Sequence, residues 1–591
     1  AVQAMTGGGG WPMSVFLTPD GAPFYGGTYF PDEPRHGMPS FKQVLDGVWQ
    51  AWTGQRSEVL AAGSRLVGAL IEQARTEAAA PEGTAVDWAA LLASVDETLI
   101  TTVDARNGSW GSAPKFPQPM TLDYLLRRVA AGDRRPETAV RFTLDKMADG
   151  GIRDQLGGGF HRYATDAQWL VPHFEQMLYD NAQLARTYTR AWATLGEARY
   201  RQVAVEVLEY LLRELATADG AFAASQDADT DGIEGLTFTW RAPEIREVLG
   251  PITAARFADA YGVTEEGNWE GVTILSRVWP ADAEPPFRGD AALELQLAGA
   301  RDSLFARRRS RTQPARDDKA LAAWNGLAIA ALAEAGQLFD EPRYTAAAVR
   351  AANAIVGGLL GEDGVLRRSW KDGRAVGLGV LEDYADLADG LLALYEATFD
   401  ERWFATARGL MDRVLDHFAD AAGGFFDTAD DHERLITRPK DPQDNAVPSG
   451  GAMATMVLLR LAAWTGEGRY RTAAERALAT VAGYLPRYPT GFAQWLQAAD
   501  FAAADVVEVA IVGRADDPST RVLLDTVRST WRPNQVIAVA PARRIAESVV
   551  PLLADRVAID GHATAYVCRK FACQRPVTTA AELADQLAAD A

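Results

Sequence analysis

From about Val86 to Leu485 the apolar residues recur every three or four positions, the spacing of one face of an α-helix. Leu321, Trp324, Leu327, Ala328 and Ala331 show the pattern. It predicts helices over 86–104, 120–131, 136–149, 173–194, 198–216, 290–308, 319–337, 342–360, 381–398, 401–419, 446–465 and 467–483. Before this region, Val15–Leu17 is a short apolar strand and Pro19-Asp20-Gly21 a turn. Ala22–Phe30 then pairs back as the second arm of a hairpin, and helices follow over 41–56 and 58–76. After about Ala504 the pattern changes again. Val506–Gly513 and Gln535–Ala540 have the composition of buried strands around a helix at 517–530. Val557–Ile559 and Ala563–Cys568 are further strand candidates, and 580–588 is a last helix.

Within the helical region one unit repeats. A glycine turn followed by an aromatic or aliphatic residue comes after successive helices: Gly158-Gly159-Phe160, Gly220-Ala221-Phe222, Gly364-Val365-Leu366, Gly423-Gly424-Phe425 and Thr490-Gly491-Phe492. Helix starts near Lys319, Leu381 and Ala446 lie roughly sixty residues apart, which is a repeat architecture. No helical hairpin of this kind buries its apolar face alone, so neighbours must close a ring. The expectation is a mainly α chain: an (α/α)6 toroid over 81–500, a partial α/β domain over 1–80 and a small α/β domain over 501–591. Residues 221–286 break the pattern and read as an insertion that hides the sixth inner position. The inner helices should be the more apolar ones, at 319–336, 381–398 and 446–464, with polar clusters at their N-terminal ends.

Composition narrows the function. A chain of 591 residues exceeds one core, and about two to four domains are expected. A formal charge of −20 argues against nucleic acid and anionic membrane as partners. No apolar run reaches the ~18 residues of a bilayer span. Cys568 and Cys573 are the only cysteines, spaced neither for a Cys-x-x-Cys redox pair nor for zinc. They are expected to be reduced structural thiols. The start of the chain shows no basic stretch followed by an apolar one, so a cytoplasmic location is expected. It opens at Ala1 in what reads as the middle of a domain, with an upstream part expected before it.

The densest chemistry lies in Gly157-Gly158-Gly159-Phe160-His161-Arg162-Tyr163, Trp169-Leu170-Val171-Pro172-His173-Phe174-Glu175 and Met177-Leu178-Tyr179-Asp180-Asn181. Histidine titrates near neutrality and moves protons at sugar carbons or oxygens, which makes His173 and His161 catalytic candidates. Glu175 is placed to orient His173. Asp180 sits in a helix otherwise suited to burial, where a carboxylate needs a partner or a ligand. Paired carboxylates do the work of glycoside hydrolysis, and Asp383 is the second candidate. Trp169, Trp324, Asn325 and Tyr384 stand beside the turns or at helix starts as substrate contacts, where aromatic faces suit sugar rings. The acidic run from Gln226 to Gly235 half-matches a calcium loop through Asp227, Asp229, Asp231 and Gly232, but Phe238 stands where the bidentate glutamate belongs. The alternatives are a loop over the mouth of the ring, with Gln226, Asp227 and Glu234 as contacts, or a solvated loop. No metal and no cofactor is called for. The expected partner is a small-molecule or oligosaccharide substrate; the oligomeric state is not readable.

Three stretches carry a resemblance: Gly9–Pro31 with its Gly-Gly-Trp-Pro-Met-Ser-Val-Phe-Leu-Thr-Pro-Asp-Gly, Gly157–Asn181 and Ser225–Gly235. The chain resembles the spermatogenesis-associated thioredoxin-like proteins and their bacterial relatives. The resemblance implies that residues 1–80 are the second half of a thioredoxin-like domain, with Pro12 as its cis proline. It implies a six-hairpin-glycosidase-like toroid after it, similar to that of N-acylglucosamine 2-epimerases. The acidic loop over the mouth is the reading it favours. The Cys-x-x-Cys of these proteins lies upstream of the hairpin and is absent here, so redox activity does not carry over. The function that follows is a carbohydrate-active enzyme, epimerase-like or glycosidase-like, working at the mouth of the toroid. For epimerisation His173 and His161 would exchange a proton beside a sugar carbonyl; for hydrolysis Asp180 and Asp383 would be acid and base. The alternative is a non-catalytic, redox-linked protein that binds a glycan or another protein.

Overall fold

The computed structural model describes residues 2–588 apart from 11, 36, 78–85, 280–290, 434 and 571. Six helices form an inner ring in the order Pro119–Ala130, Leu178–Leu195, Ala322–Leu338, Leu381–Thr398, Gly450–Thr465 and Ala493–Ala503, and the last packs back on the first. Outside them lie Trp88–Thr102, Glu137–Asp149, Ala198–Tyr210, Pro342–Leu359, Glu401–His417 and Gly468–Val481, each against an inner partner. This is the (α/α)6 toroid that the repeat predicts. Inner and outer helices alternate along the chain, so the inner helices run the same way and start at one end of the ring. We call that end the mouth. One hydrophobic core fills the space between the two layers, and the inner helices are buried nearly all round. The Ala322–Leu338 and Leu381–Thr398 helices come closest. A Cβ on Gly326 would run into the Asp386 carbonyl, and one on Gly390 into the Gly326 carbonyl.

The glycine turns do one job throughout. After an outer helix the chain reverses and pairs once with itself, at Ala216 with Phe222, Leu360 with Leu366 and Ala419 with Phe425; Arg153 pairs with Phe160 in the same way. The next inner helix then grips the returning strand. Asn181 accepts the Phe160 N–H at 2.7 Å and donates to the Phe160 carbonyl at 3.0 Å. Asn325 repeats this on Phe222 at 2.8 and 3.0 Å, and the Tyr384 hydroxyl accepts the Leu366 N–H at 2.9 Å. Buried backbone groups need such partners, which explains polar residues at the fourth position of apolar helices.

Three sequence expectations change in the helical region. The sixth inner helix is Ala493–Ala503, a short helix straight after a glycine turn, where no helix was expected. The insertion hides no inner position. Its helices Ala242–Tyr261 and Ala291–Arg308 pack on each other in a core of their own, and the second is not part of the ring. Residues 280–286 of the expected insertion lie outside the described residues. The helix expected over 173–194 starts at Leu178, because Pro172–His173 and Gln176–Met177 are short paired strands. No glycine or proline stands between His173 and the helix, so periodicity alone did not separate them.

At the N-terminal end Ser14–Leu17 and Pro23–Gly27 form the expected antiparallel hairpin. Helices Phe41–Gly54 and Arg56–Glu77 follow, the first closed by a Ser40–Gln43 capping box. This is a partial thioredoxin-like unit. Trp11, next to the proline expected to be cis, lies outside the described residues. At the C-terminal end strands Gln535–Ala540, Val507–Val512, Thr564–Arg569 and Ala572–Cys573 form a sheet in that order, parallel across the first pair and antiparallel across the others. Helices Pro518–Arg528 and Ala580–Ala588 cover one face. The other face closes the end of the ring opposite the mouth: Trp464 donates its indole N–H to the Ile537 carbonyl at 3.1 Å. Val557–Ile559 is not a strand; Ile559 only bridges to His562. Cys568 and Cys573 are not free thiols but form a disulfide across the last strand pair, which brings two cysteines five positions apart opposite one another. Among the described residues no helix is long and apolar enough to cross a membrane.

Candidate active site at the mouth of the helical ring

Three small sheets sit on the mouth around the start of the Leu178–Leu195 helix. Tyr163–Ala164 pairs with Pro172–His173. Gln176–Met177 pairs with Ser225–Gln226, which pairs on with Arg316–Asp317. The acidic loop is itself a hairpin, Asp229–Thr230 against Ile233–Glu234, turned by Asp231 and Gly232 at positive φ. It leans on the mouth: the His173 ring nitrogen Nδ1 lies 2.8 Å from Glu234 Oε1. Gly235 allows this, since a Cβ there would meet the Phe174 ring. Asp227 is exposed and accepts only the Asp229 N–H, at 3.3 Å.

His173 stands between two carboxylates. Nδ1 faces Glu234, and Nε2 lies 3.6 Å from Glu175 Oε2. The ring stacks on Tyr163 with centroids 5.2 Å apart. Glu175, followed by Glu234, raises the histidine pKa against the opposing effect of burial. In return His173, joined by Arg162, holds the Glu175 carboxyl below its usual range. Arg162 Nη1 donates to Glu175 Oε2 at 3.0 Å. Glu175 is therefore a carboxylate held towards its ionised form between Arg162 and His173.

Asp180 is the opposite case. It sits in the first turn of the inner helix, 4% exposed, and its Oδ2 is buried with no hydrogen-bond partner. Burial raises its pKa well above the ordinary carboxylate value, Arg162 opposes that, and the Glu175 charge adds to it. Asp180 and Glu175 thus feel one another, one neutral and one charged. Beside them the Tyr179 ring meets Trp324 edge-on at 4.7 Å, and Trp324 keeps part of its surface free.

The other expected residues are placed as follows. His161 is buried, its Nδ1 2.9 Å from the Phe174 carbonyl and its ring edge-on to Phe174 and Phe238. Burial lowers its pKa to about 4, so it is a neutral, enclosed histidine. Asp383, 1% exposed, accepts the Ala323 N–H at 3.2 Å, the Val380 N–H at 3.0 Å and Arg368 Nη1 at 2.9 Å. Burial raises it to about 6, with Arg368 opposing. Asn325 spends both amide hydrogens on Phe222 and Leu321 carbonyls, and Tyr384 holds Leu366. Trp169 is buried, its indole N–H donated to Asn107. Gln226 accepts the Tyr210 hydroxyl at 3.1 Å. These six side chains have structural partners that account for them. The structure brings together His173, Glu175, Asp180, Glu234 and Trp324, and adds Arg162 and Tyr179.

Sequence reasoning passed over Asp386, whose two carboxyl oxygens are both buried and unpartnered and whose pKa burial raises well above the usual value. The signal was there: Asp383, Asp386 and Asp389 are spaced three apart along an apolar inner helix. It also passed over His417, Asp430 and Asp431, whose ligand atoms lie within 4.8 Å of one another at the surface. The turn that brings Asp430 back to His417 has no periodic signal.

Comparison with known proteins follows from this geometry. Residues 1–71 match the family described as Thioredox_DsbH, protein of unknown function, DUF255. Spermatogenesis-associated protein 20 of Homo sapiens is 33% identical over 98% of this chain and 80% of its own length. An uncharacterized protein of Caenorhabditis elegans, B0495.5, is 29% identical over 98% of this chain and 84% of its own. Among solved structures, the GH76 alpha-mannanase of Bacteroides thetaiotaomicron is 11% identical, covers 70% of this chain and 96% of its own, and has a TM-score of 0.43.

Proposed function

This chain belongs to the family of spermatogenesis-associated protein 20, and within that family we propose that it is a carbohydrate-active enzyme, glycosidase-like or epimerase-like, with its site at the mouth of the ring. One observation carries the reading: two neighbouring carboxyl groups whose surroundings push them apart, Asp180 towards neutral and Glu175 towards charged. Such a split assigns one group as acid and the other as base. In the glycosidase form Asp180 gives its proton to the leaving glycosidic oxygen. Glu175 takes a proton from the attacking water, whose oxygen bonds to the anomeric carbon. Trp324 offers its open surface to the sugar C–H groups. Of the two forms the hydrolytic one has better support, with Glu175 in the part first expected of Asp383. The epimerase form loses its second histidine, since His161 is enclosed by Phe174 and Phe238.

The match of residues 1–71 to a thioredoxin-type family favours a second reading, a redox-linked protein whose ring binds a glycan or a protein without turnover. A proton NMR time course in deuterated buffer separates them. The panel is oligosaccharides, reducing sugars and N-acetylated amino sugars, with wild type and Asp180→Asn side by side. New reducing ends lost in Asp180→Asn support hydrolysis. Exchange of the proton next to the carbonyl supports epimerisation. No change with any sugar in wild type would leave the binding reading.

A further inference from the structure

The inner helices also line a cavity of about 150 Å3 on the ring axis, which runs from Gln183, one turn along the helix from the mouth residue Tyr179, down to the C-terminal domain. All six inner helices wall it, and its floor is formed by residues 527–537 of the C-terminal domain. The carboxylates of the wall are paired with arginines. Glu334 takes Arg186 and Arg190, and Asp389 takes Arg186 and Arg460.

Two arginines of the floor are different. Arg528 donates Nη2 to the Glu396 backbone carbonyl at 2.7 Å, and its Nε is buried with no acceptor. Arg532 donates Nη1 to the backbone carbonyls of Val527 at 2.9 Å and Thr530 at 3.4 Å. Neither side chain has a carboxylate at ion-pair distance among the described residues. Burial lowers the pKa of both, whereas the paired Arg186 is raised. A half-buried cation without a carboxylate at ion-pair distance is costly, and an anion in the cavity would relieve that cost.

Two acceptors of the lining, one on the wall and one on the floor, ask for donors. Gln183 is 7% exposed, and its amide orientation is set by two carbonyls, Tyr179 at 3.1 Å and Ala446 at 2.8 Å. Its Oε1 is left buried with nothing donating to it, and Gln535 Oε1 is in the same position. Both residues line the cavity.

We infer that the axial cavity is a binding site for a small hydroxylated oxyanion, its carboxylate or phosphate group on Arg528 and Arg532 and its hydroxyls donating to Gln183 and Gln535. A cavity of this volume takes a molecule about the size of a six-carbon ring, so the fitting ligands are hydroxy acids and polyol phosphates of about three or four carbons. Such a ligand would join the ring to the C-terminal domain and stabilise the docked arrangement. The inference does not depend on turnover at the mouth.

The test is titration calorimetry with thermal unfolding on the full chain, at ionic strength held constant with chloride. Tartrate and glycerol 3-phosphate are the two arms; succinate lacks the hydroxyls and glycerol the charge. At least one arm should bind saturably at one site per chain and raise Tm, by linkage of binding to folding. Which arm binds decides between carboxylate and phosphate. Succinate and glycerol should bind at least about tenfold more weakly, the loss of one matched polar group or charge. Arg532 is partly exposed, so Arg532→Gln should fold as wild type and weaken binding about tenfold or more, and Arg532→Lys should recover part of it. Gln183→Leu should erase the preference for tartrate over succinate. Asp180→Asn should bind as wild type, which keeps this result apart from the one at the mouth. Failure of both arms to bind, equal binding of all four compounds, or binding untouched by Arg532→Gln and Gln183→Leu would each overturn the assignment.

Discussion

Two inner helices begin alike and end up with opposite chemistry. Leu178-Tyr179-Asp180-Asn181 and Leu381-Glu382-Asp383-Tyr384 occupy the same place in two repeats. The fourth residue of each grips the strand that returns from the glycine turn, at Phe160 and Leu366. Two residues beyond that strand position each repeat carries an arginine, Arg162 and Arg368. Arg368 reaches down to Asp383, which is then saturated by one guanidinium and two backbone N–H groups. Arg162 is drawn to Glu175 instead, and Asp180 is left buried without a hydrogen bond to Oδ2. The difference lies in the partners each arginine finds: Arg162 is taken by Glu175, outside the helix, whereas Arg368 spans Glu382 and Asp383 in the first turn of the inner helix of its own repeat. One copy of the repeat holds the ring together; on the proposed reading the other keeps a proton available. Unpaired buried carboxyl groups cost stability, and they persist where a ligand uses them.

The largest effect should come from Asp180→Asn. On the proposed reading it lowers turnover by about 10³-fold, the scale of a lost general acid, while thermal unfolding stays near wild type because the amide has the shape and neutrality of the protonated carboxyl. Activity surviving in Asp180→Asn would remove the contrast between the two helices. Asp383→Ala should do the reverse. It strands two backbone N–H groups and Arg368, and should cost about 3 kcal/mol in denaturant unfolding. A fall in turnover without that loss of stability would show that Asp383 is the working acid after all.

Glu175→Gln sharpens the comparison further. With its carboxylate removed, Arg162 is free to turn to Asp180, and the first repeat should come to resemble the second. The Asp180 pKa should then fall from well above the usual carboxylate value towards it, as the guanidinium comes to oppose burial. Carbon NMR of labelled aspartates reads this directly. A pKa that stays high would mean that Arg162 is fixed by something other than Glu175.

Much of this was legible in the sequence, and the limit has a physical form. The ring, the glycine turns and the small C-terminal sheet follow from periodicity and from turn residues, which act locally. Asn325 and Tyr384 looked like ligand contacts because polar residues in apolar helices need partners, but the partners are backbone groups about a hundred and about twenty residues away in sequence, at Phe222 and Leu366. The assignment of Asp180 and Asp383 as an equal pair failed to separate them for the same reason. Their roles are set by where Arg162 and Arg368 point, and side-chain pairing across strands leaves no periodic trace. Asp386 and the axial arginines were passed over because charge was weighed segment by segment, whereas their meaning comes from six helices closing on one axis.

The smallest effect tests how firmly the acidic hairpin is attached to the mouth. His173 has a raised pKa, so its share of the attachment is complete below the ordinary histidine value of about 6.5 and fades as pH rises through the raised one. Glu175 has a lowered pKa, so its share is complete above the ordinary carboxylate value of about 4.3 and fades as pH falls through the lowered one. The clasp is therefore tightest between about pH 5 and 6.5. Glu234→Gln takes one of two anions from His173 and should lower its pKa, so that the clasp loosens at a lower pH than in wild type. These groups are partly exposed, and the loss in global stability should stay under about 1 kcal/mol. Amide exchange over 227–235 followed across this pH range measures the effect where it acts. Protection in Glu234→Gln that fades at the same pH as in wild type would mean that the hairpin is held by Phe174 and its apolar neighbours alone, and that the charges around His173 serve the mouth and not its cover.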